Sequence, residues 1–186
     1  KIKPTILIGC STVGGFFDEK MIKNLVATVT NPIIMPLSNP STRSEAHPHD
    51  LYRWSDFKAY VATGSPFPAI EHKGAMLNIS QCNNLFAFPG IGAGMIIAKA
   101  KMLTDKMLIA GADAIAKYIV DNQLPEHAIM PDVADLEQVS HCVAQAVAKQ
   151  AVHDGVTDLD NSEVAQRLEK HFWQPAYLSY APAQET

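Results

Sequence analysis

Residues 33–40 read Ile33-Ile34-Met35-Pro36-Leu37-Ser38-Asn39-Pro40 and predict both the type of sheet and one end of a binding site. The apolar start lacks polar alternation, which is typical of a strand buried on both faces. Proline disfavours helix for the residue before it and suits the first helical position, so Asn39 is predicted to be the N-cap of a helix from Pro40. Open α/β sheets bind ligands at this end of their strands.

Two other stretches repeat this pattern of a buried strand followed by small polar residues. Residues 3–11 end in Gly9-Cys10-Ser11, and residues 59–66 end in Gly64-Ser65. An amphipathic helix is predicted over residues 18–29 between the first two strands. If the strands are parallel, their polar ends lie on one edge of the sheet. We therefore predict an α/β, Rossmann-like three-layer domain with a mostly parallel sheet.

Residues 81–94 combine two carboxamides, a short apolar run and a glycine-rich turn: Gln81-Cys82-Asn83-Asn84-Leu85-Phe86-Ala87-Phe88-Pro89-Gly90-Ile91-Gly92-Ala93-Gly94. A carboxamide offers a donor and an acceptor without charge, so the pair ahead of a predicted apolar strand suits a small polar ligand. A turn with asparagine in the left-handed region explains the pair equally well. The glycines follow G-x-G-x-G rather than the G-x-G-x-x-G dinucleotide pattern, which favours close helix–sheet packing over phosphate binding.

The rest of the chain is predicted to be mainly helical. A hairpin turn is expected near residues 72–74, helices over 92–103, 105–120 and 135–154, and a short helix over 162–171 capped by Asn161 or Ser162. Thr104 and Gly155 mark a helix start and a helix end. We expect one domain, with a sheet core at about 1–103 and a C-terminal helical extension at about 104–186. Because the chain opens directly on a predicted buried strand, we expect it to be a fragment.

Composition narrows the classes of partner. The 186 residues are 47% hydrophobic and 18% charged with a net charge of −4, so a basic face for nucleic acid is not expected. No apolar run is long enough to span a membrane, and a cytoplasmic location is the expectation. The three separated cysteines indicate neither disulfides nor zinc. His47 and His49 are predicted to be exposed rather than metal ligands.

Several of these motifs together resemble the malic enzymes, most closely the bacterial NAD-dependent type. The resemblance runs in order from about residue 6 to about residue 180, which is nearly the whole chain. It is carried by four segments: Leu37-Ser38-Asn39-Pro40-Ser41 with Glu45-Ala46, Ala62-Thr63-Gly64-Ser65-Pro66-Phe67, Gln81-Cys82-Asn83-Asn84 with Phe88-Pro89-Gly90-Ile91-Gly92, and Phe172-Trp173-Gln174-Pro175.

This resemblance implies oxidative decarboxylation of L-malate to pyruvate and CO2, with NAD and a divalent Mg or Mn ion. Family residues carried over onto this chain give Asn39 and Asn84, with Asn83 beside it, as contacts to the malate carboxylates or hydroxyl. Asn39 would also contact the nicotinamide. The turns at Ser11 and at Gly64-Ser65 would shape the edge on which the cofactor lies.

The resemblance also implies what this chain lacks. The family's metal carboxylates, its Tyr and Lys acid and base, and its main nucleotide loop precede the portion that matches, so no catalytic or metal-binding residue is assigned here. We expect the chain to be inactive without the N-terminal part of its polypeptide, and to form homodimers or homotetramers. The aromatic residues around Trp173 favour a docking or subunit-contact tail. Two alternatives stay open: a half-domain of another NAD-dependent hydroxy-acid dehydrogenase, and a ligand-binding module without catalysis.

Overall fold

The computed structural model describes residues 2–125 and 127–172. Trp173 and the predicted docking tail lie outside these residues. The strands, in chain order, are β1 (Ile6–Gly9), β2 (Ile33–Pro36), β3 (Tyr60–Thr63), β4 (Ile70–His72), β5 (Ala75–Leu77) and β6 (Ser80–Gln81). The helices are α1 (Glu19–Val26), α2 (Pro48–Trp54), α3 (Phe88–Ala98), α4 (Asp105–Asp121), α5 (Leu136–His153) and α6 (Asn161–His171).

Four strands form one parallel sheet in the order β1-β2-β3-β6. Ile34 pairs with Leu7 on one side and with Val61 on the other, so these three side chains share one face. Ile34 and Val61 are fully buried there. The parallel sheet expected from the three buried runs is therefore present.

The first strand differs from the sequence prediction of burial on both faces, which is wrong. Ile6 and Ile8 are 48% and 57% exposed. β1 stands at the edge of the sheet within the described residues. The face that carries Ile6 and Ile8 is open, although the composition of β1 matches that of an interior strand.

Helices α1 and α2 cover the buried face of the sheet. α1 begins where Asp18 accepts a hydrogen bond from the Met21 amide at 2.7 Å, which satisfies a free N–H of the first turn. Its buried side chains Ile22 and Leu25 join a core with Leu51 and Tyr52 of α2. This core holds the two helices on the sheet.

The helix predicted to start at Pro40 does not form there. Residues Ser41–Arg43 make a single 3-10 turn that no side chain caps, and α2 begins only at Pro48, where His47 is the N-cap. The Asn39–Pro40 peptide bond is cis. Because no side chain caps the 3-10 turn, the capping role predicted for Asn39 is wrong.

Strands β4 and β5 form the predicted hairpin, with Lys73 and Gly74 at its turn. Both residues have positive φ angles, 52° and 79°, as a two-residue type I′ turn requires. The hairpin prediction is confirmed.

The apolar run after Asn84 is helical rather than a strand. Residues Asn84–Phe86 form a 3-10 turn, and α3 then begins at Phe88. Gly90 and Gly94 lie against α5: a Cβ atom on Gly90 would sit 2.5 Å from the Val143 Cβ. These glycines serve close packing, as expected, but of helix on helix rather than helix on sheet.

Helices α3 to α6 enclose a second apolar core. Its fully buried members include Met107 of α4 and Val139, Val143 and Val147 of α5. Burying four such side chains contributes roughly 6–12 kcal/mol of hydrophobic free energy. This part of the chain therefore has a substantial core apart from the sheet.

The ends of these helices follow local capping chemistry. Thr104 caps α4 through the Met107 amide, and Gly155 follows α5 with φ of 67°, so both predictions are confirmed. The N-cap of α6 is Asp160, one residue before Asn161 and two before Ser162, so the predicted cap is wrong. Within the described ranges, no helix has the length and apolar character to cross a lipid bilayer.

Candidate functional site

Small polar residues follow all four strands of the parallel sheet. Ser11 comes two residues after β1, Asn39 three after β2, Ser65 two after β3 and Asn83 two after β6. Because the strands are parallel, these residues lie at the same edge of the sheet. This is the edge at which open α/β sheets bind their ligands.

The four turns are held together by backbone pairing that continues past the strands. Leu37 N–H donates to the Gly9 carbonyl at 2.9 Å, and Gly64 N–H donates to the Pro36 carbonyl at 3.2 Å. A Cβ atom on Gly64 would lie 2.1 Å from the Leu37 carbonyl oxygen. Gly64 is therefore required for this approach of two turns, and a contact to a ligand is not needed to explain it.

A buried carboxylate, Glu45, joins the first two turns. Its side chain is completely inaccessible to solvent. Oε1 accepts hydrogen bonds from the Ser11 N–H at 2.7 Å, the Ser11 hydroxyl at 2.8 Å and the Ser38 hydroxyl at 2.5 Å, and Oε2 accepts from the Ser38 N–H at 3.3 Å. A buried charge is tolerated only when such donors replace water.

The hydrogen bonds to Glu45 decide its protonation state. Burial acts to raise the pKa, but the donors on Ser38 and Ser11 outweigh burial and lower the pKa from 4.5 to about 2. Glu45 is therefore a carboxylate at neutral pH. A Cβ atom on Gly9 would lie 2.7 Å from the Glu45 side chain, so the end of β1 must be glycine to admit it.

Sequence reasoning missed the role of Glu45. Its only local signal is the pair of small neighbours, Ser44 and Ala46, which are also buried. Its partner Ser11 is 34 residues away in the sequence. The periodicity of a helix or strand relates only near neighbours, so it could not predict this contact.

Two of the predicted site residues are in direct contact. The Ser65 hydroxyl donates a hydrogen bond to Asn39 Oδ1. Ser65 is buried, whereas Asn39 is exposed at the edge. The Ser65 carbonyl in turn accepts from the Thr63 hydroxyl at 2.8 Å, which fixes the turn after β3. The structure therefore brings Asn39 and Ser65 together.

The asparagine pair occupies the turn after β6. Asn83 Oδ1 accepts from the Leu85 N–H at 3.0 Å and caps the 3-10 turn, while Asn84 is exposed. Asn83 has an extended backbone, with φ −127°, and neither asparagine is among the residues with positive φ, so the left-handed turn is wrong. Among the described residues, no hydrogen bond joins this pair to Asn39.

The described ranges contain no group of three or more His, Cys, Asp or Glu side chains that could hold a metal ion. His47 and His49 are exposed, as predicted, and the His47 ring accepts from the His49 N–H at 3.2 Å.

Comparison with known proteins identifies the family. Residues 1–152 match the family model described as malic enzyme, NAD binding domain. The chain belongs to the malic enzyme NAD-binding domain family. The resemblance inferred from the four sequence motifs is confirmed.

Curated relatives of this malic enzyme domain are close over almost its full length. The NAD-dependent malic enzyme of Acinetobacter baylyi is 45% identical over 179 residues, covering 96% of this chain and 32% of that protein. NAD-dependent malic enzyme 3 of Bacillus subtilis is also 45% identical, covering 94% of this chain and 31% of that protein. The malic enzyme domain described here thus spans about a third of the length of these relatives.

Solved malic enzymes share the fold. The Entamoeba histolytica malic enzyme superposes with a TM-score of 0.73 at 27% identity, covering 91% of this chain and 32% of that one. The Pyrococcus horikoshii malic enzyme superposes with a TM-score of 0.65 at 28% identity, covering 90% of this chain and 36% of that one. The α/β, Rossmann-like class with a mostly parallel sheet is confirmed for this malic enzyme domain.

Proposed function

We propose that this chain is the part of an NAD-dependent malic enzyme that carries one side of the active site, in a protein that converts L-malate and NAD to pyruvate, CO2 and NADH. The observation that carries the proposal is the row of polar turns at the ends of four parallel strands, in a chain of the malic enzyme NAD-binding family. The relatives named as NAD-dependent malic enzymes support the choice of substrate and cofactor.

The asparagines would hold the substrate. Asn39 and Asn84 are exposed at the edge, and Asn83 is half-buried beside them. Their N–H groups suit the oxygens of the malate carboxylates and hydroxyl, and Asn39 would also contact the nicotinamide. β2 and β6 are separated by one strand, so the two turns lie roughly 10 Å apart across the sheet. A four-carbon dicarboxylic acid bound beside the nicotinamide ring would fit between two turns at that distance.

The donors at this edge fit NAD. Bound NAD supplies the acceptor for the hydride from the malate carbon. Ser11, Gly64 and Ser65 shape the surface against which the nicotinamide side of the cofactor would lie. The fixed turns would orient the substrate relative to that surface and limit the access of water.

The described residues do not fit the divalent metal, because they offer no cluster of ligands. The metal ligands and the acid and base groups would come from the part of the polypeptide that precedes it, and a homodimer or homotetramer is the proposed assembly.

The test compares the full natural polypeptide with the 186-residue chain. With L-malate, NAD and Mn²⁺, the full polypeptide should form NADH and pyruvate in equal amounts, and the short chain should form neither. Asn39→Ala and Asn84→Ala in the full polypeptide should each raise KM for malate about tenfold or more, since each removes a hydrogen bond to a charged group. Ser41→Ala, at an exposed position near Asn39, is the matched control.

Two results would contradict this proposal. Malate turnover by the 186-residue chain alone would show that it carries a complete site. NAD binding by the full polypeptide without any malate-dependent reduction would instead favour another dehydrogenase or a binding module.

A further inference from the structure

The carboxamide of Asn39 has a defined orientation in this structure. Its Oδ1 accepts the hydroxyl proton of Ser65. Ser65 takes one of the two acceptor sites of the oxygen, whereas neither N–H donor of Asn39 has a partner among the described residues, so the NH2 group is the part left for a ligand. We propose that Ser65 is a positioning residue that holds the Asn39 amide with its N–H donors toward the ligand; this rests on the proposed function.

Ser65 is well placed for this role because it is itself held firmly. It is 7% exposed, and its carbonyl accepts from the Thr63 hydroxyl at 2.8 Å. The preceding Gly64 touches the backbone of Leu37 and donates to the Pro36 carbonyl at 3.2 Å. Asn39 lies two residues after Leu37 in the same turn. The donor and the acceptor are therefore fixed relative to each other by the pairing of their two turns.

The same polarity occurs at the turn after β6. Asn83 Oδ1 is occupied by the Leu85 N–H, at 3.0 Å, which again leaves the NH2 group for a ligand. At the turn after β1, the Ser11 hydroxyl proton is directed inward, to Glu45 Oε1. Asn39 and Asn83 thus use their carboxamide oxygens within the protein and leave N–H donors for a ligand.

A row of such donors selects ligands by the atoms they offer. Carboxylate and keto oxygens accept hydrogen bonds, whereas an ammonium group only donates. An analogue with a donor at the position facing Asn39 would be rejected unless the amide could rotate. Ser65 prevents that rotation, and so it contributes to specificity for an oxygen-rich acid without touching the acid.

The experiment is a double-substitution cycle in the full polypeptide, with L-malate as the probe. Ser65→Ala should raise KM for malate about fivefold to tenfold, the effect of one lost hydrogen bond, and change kcat less than about twofold. Asn39→Ala should raise KM more. Ser65→Ala added to Asn39→Ala should leave KM within about twofold of the single Asn39 variant, because no amide remains to be oriented.

The variant Asn39→Asp provides an independent test of the donor role of the amide. Its carboxylate can still accept from Ser65 but offers no donor, so KM for malate should rise at least as much as in Asn39→Ala. Ser41→Ala should leave KM unchanged. A thermal unfolding curve for each variant reports whether it is folded.

The outcomes separate this inference from the proposed function. Absence of malate turnover in the unsubstituted polypeptide overturns both. With turnover intact, an unchanged KM in Ser65→Ala overturns the positioning role alone. An effect of Ser65→Ala that persists in full in the Asn39→Ala background also overturns it, since that would be a structural effect on the turn.

Discussion

The Ser11 hydroxyl donates to the buried Glu45 carboxylate at 2.8 Å, across 34 residues of chain. This contact ties the end of β1 to the segment that follows β2. The first two turns of the proposed site are therefore held by a charged group that is itself completely buried.

Removing that charge should destabilise the fold. In Glu45→Gln, the amide nitrogen would replace one oxygen and meet the Ser38 N–H or one of the hydroxyl donors, and the charge-assisted bonds would be lost. We expect a loss of about 2–4 kcal/mol in the free energy of unfolding, measured by urea denaturation. Glu19→Gln is the control: its ion pair with Lys23 is exposed, so its free energy of unfolding should change much less than that of Glu45→Gln. Equal losses in the two variants would contradict the prediction.

Glu45 should also make stability dependent on acid pH. Despite burial, the hydrogen bonds from Ser38 and Ser11 hold its pKa in the folded state at about 2, below the usual 4.5 of a glutamate. Its stabilisation is therefore complete above pH 4.5 and is lost as pH falls from 4.5 toward 2, a total on the order of 3 kcal/mol. The difference in unfolding free energy between wild type and Glu45→Gln should shrink over that interval. A difference that stays constant from pH 5 to pH 2.5 would show that the charge is not its source.

Three glycines of α3 form a matched set for packing. Gly90→Ala and Gly94→Ala would place Cβ atoms 2.5 Å from the Val143 Cβ and 2.8 Å from the Ala144 carbonyl oxygen. Each should cost about 1–3 kcal/mol by forcing α5 away. A Cβ atom on Gly92 meets nothing within 4 Å, so Gly92→Ala should stabilise by about 0.5–1 kcal/mol through helix propensity. The opposite order of melting temperatures would refute the packing of α3 on α5.

The capping box of α6 predicts a fourth effect. Asp160 accepts from the Glu163 N–H at 2.9 Å, and Glu163 accepts from the Asp160 N–H at 2.9 Å. Asp160→Ala should lower the free energy of unfolding, because two amide N–H groups of the first turn lose their acceptor. Asn161→Ala, at the first helical position, should change the free energy of unfolding by only about a few tenths of a kcal/mol. A larger loss of stability in Asn161→Ala than in Asp160→Ala would mean that Asn161 is the N-cap, as the sequence alone predicts.

Sequence reasoning succeeded where the signal was local. The hairpin turn at Lys73-Gly74 and the cap at Thr104 each depend on neighbours within three residues. The parallel sheet and its polar ends also followed from the recurrence of short apolar runs ending in small residues. The proposed site residues lie at the ends of these strands, and their roles stay a prediction.

It failed where distant residues decide the outcome. Asn39 has the sequence of an N-cap, but Ser65, 26 residues later, takes its oxygen. Leu85 to Phe88 is apolar and too short to tell strand from helix, and packing of the following glycines on α5 favours helix. The open face of β1 likewise depends on its place in the sheet, which composition does not encode.

The contact between Gly64 and Leu37 also limits how this domain could be re-engineered. Since a Cβ atom would lie 2.1 Å from a carbonyl oxygen, a library randomised at position 64 should return glycine in nearly every folded clone. Libraries directed at the proposed binding edge would therefore gain more from diversity at the exposed positions 39 and 84 than at position 64.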